Sequence, residues 1–418
     1  MDFEQVDFLT ERGLIDDPYP YYDFLRQCPV RRVPPHGVVA VTGYDEATAT
    51  WRDEDAFSSC NSFGGPFPGL PVPPDGDDIT ELIERYRDVY PISEHLVTFD
   101  PPHHTKHRAL LMRLITPRRL QENEAFMWRL ADRLIDEFVE QGRCEFIQAY
   151  AYPFSLLTIA DLLGVPEADH QRFRSRLEAH VAGALDRPAS GDPFEFMNEF
   201  FADYVDDRRR APRQDVLTKL ALARFPDGSI PEVIDVVRIA AFLFAAGQGT
   251  TAHLLGSLLQ RLADRPDLQD RLRAERDRIT DFVEETLRIE SPVKANFRLV
   301  RRSTRLGRVD LPAGTTVMIM PGAANRDGRR FDGPDEFRLD RPNVREHLAF
   351  GRGAHACPGG PLSRAEARVS LERLLDRLAD IRIADAEHGP PGARRYRYDP
   401  SFMLRGLQAL DLEFTPID

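Results

Sequence analysis

Phe350 to Gly360 read FGRGAHACPGG, which sets a lone cysteine among glycines just ahead of a helical stretch. A thiol at a helix N-terminus meets free backbone N–H groups and the positive end of the helix dipole, and both favour its ionised form. The spacing therefore predicts that Cys357 is kept as a thiolate. Such a group is either a nucleophile or a metal ligand. A nucleophile needs a base, and His355 is two residues away, whereas a cysteine hydrolase draws its histidine from elsewhere in the chain. The glycines beside Cys357 allow a large flat group to approach the backbone closely. Thiolate-ligated haem is the chemistry that suits this arrangement.

This segment resembles the haem-binding loop of the cytochrome P-450 family, whose pattern is FGxGxHxCxG. The resemblance implies haem b in contact with Phe350, Gly351, His355 and Gly359, with Cys357 as the axial iron ligand. Three further segments resemble the same family in the expected order, so the likeness covers nearly the whole chain. Glu285-Thr-Leu-Arg288 matches ExxR, a pair that shares one helix face. In the family it locks onto an arginine of a later meander, by position Arg341 in FRLDRP. DPPHHTKHR, Asp100 to Arg108, resembles DPPxHxxxR. His104 and Arg108 are one helical turn apart and can address one anionic partner. The resemblance makes that partner the haem propionates, joined by Arg298 of NFRLV and by His355. Arginine forks suit carboxylates.

The third segment is AAGQGTT, Ala245 to Thr251, in the most apolar stretch of the chain. Glycine and threonine are poor residues for the centre of a long helix. The family's counterpart is (A/G)Gx(D/E)T(T/S), on a helix that passes over the haem. Ala246 and Gly247 fit it, leaving room for oxygen and a kink, and Thr250 fits the alcohol. The acid position holds Gly249, which has no titratable group. In the family that acid helps relay protons to oxygen, and general acid assistance is worth roughly 10² to 10⁴ in rate. Protons can instead travel through Gln248 or ordered water, or come from a substrate hydroxyl; or a natural acid has been lost or replaced, leaving a less coupled enzyme. Our reading is a non-standard, water-mediated route.

The elements that must position these groups are mainly helical. DPYPYYDFLRQ opens as a helix, VRRV and VVAVT read as short strands around a PPHG turn, and residues 64–76, rich in proline and glycine, form a loop. From Asp100 to about Asp264 helix dominates, with breaks at Gly142, at Gly164 to Pro166 and at 185–193. Ser229-Ile-Pro-Glu232 reads as a capping box opening a helix to about Ala263. Another helix spans about Asp281 to Ile289, RLGRVDLPAGTTVMIM turns like a hairpin, and a last helix starts near Pro361. The expected fold is mainly α with a minor β part near 30–45 and 300–320. The resemblance makes residues 1–418 a single domain with haem between the long helix and the cysteine-loop helix.

A net charge of −13 argues against a nucleic-acid binder. The longest unbroken apolar run, Ile239 to Ala246, is far short of a bilayer span, and the N-terminus lacks the pattern of a signal peptide. A cytoplasmic monomer off the membrane is expected. Cys28, Cys60 and Cys144 form no CxxC pair and read as buried apolar residues. The resemblance assigns Phe242, Ala245, Ala246, Val293, Asn296, Met403 and Leu404 to the substrate side of the haem, an apolar lining with one amide that suits an apolar small molecule. The loop at 64–76 and the turn at 185–193 are the expected covers. No reductase segment is recognised, so electrons are expected from a ferredoxin and its reductase, docking on Lys106, Arg113, Arg118, Arg119, Arg352 and Arg364. The implied activity is monooxygenation of an apolar molecule with O2. Its rivals are a peroxide-driven oxidation, favoured by Gly249, and a haem sensor without turnover. If Gly249 marks a missing relay, Gly249→Asp will lower the peroxide released per reduced cofactor consumed; unchanged coupling would show that no relay is missing there.

Overall fold

The computed structural model describes residues 2–170 and 195–417. Its N-terminal part holds helix α1 (Tyr19–Arg26), strands β1 (Val30–Val33) and β2 (Val38–Val41), helix α2 (Tyr44–Arg52) and strand β3 (Phe57–Ser58). Helices α3 (His103–Leu111) and α4 (Pro117–Asp136) follow, then β4 (Arg143–Glu145), α5 (Tyr152–Leu163), α6 (Glu195–Arg210) and the long α7 (Val233–Ala263). After α8 (Arg278–Ile289) come β5 (Asn296–Val300), β6 (Thr304–Leu306), β7 (Val309–Leu311) and β8 (Thr316–Ile319). The chain closes with α9 (Gly360–Arg377), β9 (Leu378–Ile383) and β10 (Asp411–Pro416).

The two β regions expected from the sequence join in one five-stranded sheet of order β1-β2-β8-β5-β3, with β2 and β8 parallel. Of the expected hairpin, only β6 and β7 pair as one; β8 leaves it for the large sheet. A third sheet, β4-β10-β9, carries no strong local signal, because its short strands lie far apart in the chain.

Helix α7 is the axis of the molecule. It packs against α5, α6 and α9 through residues such as Leu254, Leu255, Leu258 and Leu262, all fully buried. By length and composition it could cross a membrane; its leucines instead form the core of this fold. Its start differs from the sequence expectation. Ser229 is bound to Asp227 in the preceding turn, so the capping box is formed by Glu232 and Asp235 and the helix begins at Val233. At 1.5 Å per residue its length is roughly 46 Å.

Helix α8 is tied to the meander by buried charge. Glu285 accepts from Arg288 Nε and Nη2, both at 2.8 Å, and from Arg341 Nε at 3.0 Å. Arg288 also donates to the carbonyls of Asn325, Pro334 and Glu336. The Glu285 and Arg288 side chains are 0% exposed and that of Arg341 is 2% exposed. Removing one partner of such a group leaves uncompensated buried charge, at a cost of about 3–5 kcal/mol. Glu285→Gln is therefore expected to lower the urea midpoint sharply and reduce haem incorporation; stability equal to the native protein would show that the triad is not needed to hold the meander.

Candidate active site

Cys357 sits in the turn that leads into α9. Its backbone N–H donates to the Phe350 carbonyl at 2.8 Å, closing the loop on itself. Gly353 lets this loop pass α2: its φ is +74°, and a Cβ there would lie 2.3 Å from the Trp51 carbonyl oxygen. The accessible surface of Cys357 opens into a chamber of about 320 Å³. Burial raises the thiol pKa, and the N–H groups of Gly359 and Gly360, with Arg108, only partly offset it. Burial thus opposes the helix end and Arg108 at this sulfur. A metal cation bound at the sulfur would stabilise the thiolate.

One face of α7 forms the opposite wall. Ile239, Phe242, Leu243, Ala246, Gly247, Thr250, Thr251 and Leu254 line the chamber, following the helical repeat of three and four. Ala245, Gln248 and Gly249 are rotated off that face and do not line it. A Cβ at Gly249 would meet nothing within 4 Å. Thr250 Oγ1 donates to the Ala246 carbonyl at 2.8 Å, one turn back. Val293 and Asn296 line the chamber; Met403 and Leu404 do not. The latter two are held by backbone pairing, Lys294 N–H to the Met403 carbonyl at 2.7 Å and a bridge between Val293 and Leu404, so they support the wall from behind.

The remaining edge is cationic and polar. His104, Arg108, Arg298 and His355 all reach the chamber. The imidazoles of His104 and His355 stack with centroids 3.8 Å apart. His355 Nε2 lies 3.1 Å from Ser59 Oγ. Burial, helped by Arg108 and Arg298, pushes His104 down to about 4. Burial and the Arg298 charge also push His355 well below the usual range, so both rings are neutral near pH 7. Arg298 is itself lowered by burial to about 10 and remains charged. It donates to Asn296 Oδ1 at 2.8 Å, and Asn296 Oδ1 also accepts from Trp51 Nε1 at 3.3 Å. Asn296 thus orients an arginine as well as facing the chamber. Both ring nitrogens of His104 are buried without a hydrogen-bond partner among the described residues. An unpaired buried N–H costs free energy, and a carboxylate-bearing ligand satisfies the one that the neutral ring carries. Thiol, apolar slot and carboxylate-binding edge together fit haem.

Comparison with known proteins agrees with this geometry. The sequence model described as Cytochrome P450 matches residues 187–379. Cytochrome P450 144 of Mycobacterium tuberculosis is 32% identical over 407 residues, covering 95% of this chain and 89% of that protein. The chain belongs to the cytochrome P450 family. Among solved structures, Mycobacterium marinum cytochrome P450 CYP150A6 in the substrate-free form superposes with a TM-score of 0.95 at 57% identity, covering 100% of both chains. CYP109E1 from Bacillus megaterium in complex with testosterone gives a TM-score of 0.78 at 27% identity, over 95% of this chain and 99% of that one. The protein is accordingly a P450 monooxygenase that uses haem b with a cysteine thiolate as axial ligand, together with O2 and redox partner proteins.

Within this P450 the structure adds residues that carry no local motif. Trp51, Leu111, Leu254 and Glu366 also line the chamber. Trp51 meets Asn296 across 245 positions of sequence, beyond any periodicity argument. Glu366 is 1% exposed, lies 3.3 Å from Thr251 Oγ1 through Oε2, and is pushed well above the usual carboxyl range by burial. Its only sequence signal is an acid on the inward stripe of α9.

Other expectations shift. Residues 64–76 do not line the chamber; part of this loop roofs a separate cavity of about 300 Å³, with Tyr90, Leu299 and Thr316 below. The turn at 185–193 lies outside the described residues. Cys60 is buried, Cys144 intermediate and Cys28 exposed. Of the proposed docking cations, Lys106 pairs with Asp227, Arg118 with Glu122, Arg119 with Asp161 and Arg364 with Glu284. Arg352 donates to backbone carbonyls. Arg113 is exposed with no ion-pair partner among the described residues.

Proposed function

We propose that this P450 inserts one oxygen atom from O2 into an apolar small organic molecule, by hydroxylation or epoxidation, with electrons from a ferredoxin and its reductase. The observation that carries this reading is the chamber itself. Cys357 stands on one side of it, Thr250 on the other, and Phe242, Leu243, Ile239 and Val293 give it an apolar stretch of wall. Haem, held by Cys357 with His104, Arg108, Arg298 and His355 at its carboxylate edge and with Ala246, Phe350, Gly351 and Gly359 against it, supplies oxygen activation when bound. The protein's own contribution is to exclude water, seat the substrate beside Ala246 and Thr250, and deliver protons. The reading also comprises one domain over residues 1–418, a monomer, a cytoplasmic location, and docking of the ferredoxin near Arg113 and Arg352. Because a Bacillus megaterium relative was solved with testosterone and corticosterone, steroids are the first class for spectral titration, followed by terpenoids, aromatics and fatty acids.

A carbon monoxide difference spectrum of the reduced protein tests the site. The red-shifted band of thiolate-ligated haem is expected from the native protein and is expected to disappear in Cys357→His. Its absence in folded, haem-loaded native protein would sink the assignment of Cys357. Turnover with a ferredoxin system is expected to exceed peroxide-driven turnover; the reverse result would favour the rival that Gly249 suggests.

The proton route in this reading runs through Glu366 and Thr251. Gly249 offers no acid, and Gln248 does not face the chamber, whereas Glu366 holds a proton at its carboxyl beside Thr251 Oγ1 and Ser363. A neutral carboxylic acid inside a water-poor wall is a proton donor near pH 7. Glu366→Gln is expected to cut product formation by about 10²-fold, the lower end for a general acid, while peroxide release rises and the carbon monoxide band stays. The infrared carbonyl stretch of a protonated carboxyl should vanish in the same variant. Unchanged coupling would remove Glu366 from the route.

A further inference from the structure

Strand β5 turns Asn296 and Arg298 to the chamber, while Phe297 and Leu299 are buried in other apolar clusters, as the alternation of side chains along a strand requires. The side-chain oxygen of Asn296 is engaged twice: it accepts from Arg298 Nη1 at 2.8 Å and from Trp51 Nε1 at 3.3 Å. Both partners can only donate. Turning the amide over would set its NH2 group against two donors, one of them a guanidinium, so the two contacts fix which way the amide faces. Its Nδ2 donates to no group among the described residues, and the residue is half-buried where it lines the chamber.

We propose that Asn296 is a specificity-determining residue, whose Nδ2 donates a hydrogen bond to a neutral acceptor oxygen, a ketone or ester carbonyl, on an otherwise apolar substrate. The proposal rests on the reading that the chamber seats haem and an apolar molecule, and deepens it by giving that molecule one polar handle of defined sense. Three observations carry it. First, the amide cannot choose its role: with the oxygen held by Trp51 and Arg298, only a donor is left for a ligand. Second, the hydroxyls of the α7 wall are already directed elsewhere. Thr250 Oγ1 donates to the Ala246 carbonyl, and Thr251 Oγ1 lies 3.4 Å from Ser363 Oγ and 3.3 Å from Glu366 Oε2. Among the described residues that line the chamber, Asn296 is the one side-chain amide. Third, Asn296 stands in chain order between Val293 of the apolar wall and Arg298 of the cationic edge. A carbonyl held there leaves the rest of the molecule to alkyl and aromatic side chains. A hydrocarbon in its place would cover the NH2 group without pairing it, and an unpaired buried donor costs free energy. Trp51 is the positioning residue of this arrangement, because it acts through Asn296 Oδ1.

The test uses the haem-loaded full chain as native protein, Asn296→Asp and Trp51→Phe, each first shown by its carbon monoxide spectrum to keep thiolate ligation. Aspartate retains an oxygen for Trp51 and Arg298 and replaces the donor by a second acceptor. Binding is read from the Soret shift on titration with matched pairs, each a ketone and the hydrocarbon of the same skeleton: adamantanone and adamantane, cyclododecanone and cyclododecane, androstanone and androstane. Asn296→Asp is expected to weaken binding of at least one ketone about tenfold and to leave its hydrocarbon within about twofold, the scale of one lost hydrogen bond. Trp51→Phe is expected to weaken the same ketone about threefold, since one of two contacts on the amide oxygen remains. A general loosening of the fold weakens both members of a pair alike, so the ratio within the pair is the readout. Hydrocarbon binding with an unchanged ratio overturns the proposal and leaves the apolar-substrate reading standing; a chamber that takes no member of any pair overturns both. Transfer of haem to an excess of apoglobin is the last arm. If Nδ2 donates to a haem propionate instead, Asn296→Asp will lose haem several-fold faster while the ratio keeps its native value, and the proposal falls.

Discussion

Glu285 has no exposed surface, and the guanidinium groups of Arg288 and Arg341 that bind it are almost as completely shielded. None of the three can be left alone in that environment, because a single buried charge costs far more than the pair returns. The consequence is geometric. Arg341 belongs to the meander that runs directly into the loop of Cys357, while Arg288 belongs to the helix that leads into β5 and Arg298. One buried triad therefore sets the thiol and the carboxylate-binding edge in a common frame. A second contact from the same helix reinforces it, where Glu284 of α8 binds His347 at 3.0 Å and Arg364 of α9.

Desolvation, which makes the triad obligatory, also sets the charge of every group around the chamber. It pushes His104 down to about 4 and His355 well below its ordinary range, and it raises the Glu366 carboxyl well above its own. The two walls consequently differ in kind. One edge presents Arg108 and Arg298 as full charges among neutral donors; the α7 face presents alkyl groups and two threonine hydroxyls. The first suits the carboxylates of a cofactor and the second an apolar substrate.

Much of this was legible in the sequence because it is local. The glycine-rich cysteine loop, the ExxR pair and the His104–Arg108 turn each depend on residues close enough in the chain for spacing to speak. Even there, spacing stopped short of orientation. Ala245 and Ala246 are adjacent, yet a rotation of about 100° per residue puts only the second in the wall. Ser229 has the residue type and spacing of a helix cap, but Asp227 claims its hydroxyl and Glu232 takes the role. Met403 and Leu404 reach the right region but turn their backbone to Val293 and Lys294.

The sequence by itself determined the chemistry on offer: a thiol at a helix start, paired cations for carboxylates, a helix with small residues at its centre, and no acid at Gly249. Covalent spacing and helix periodicity act over a few residues, so a reader of the chain can follow them. The tertiary structure alone decided which charges survive and which distant groups meet. Trp51 beside Asn296, Glu54 beside His104 and His355, and Glu366 beside Thr251 join positions that share no local pattern. Burial raises the two carboxyls among them, and burial is a property of the folded whole that no short stretch of sequence contains.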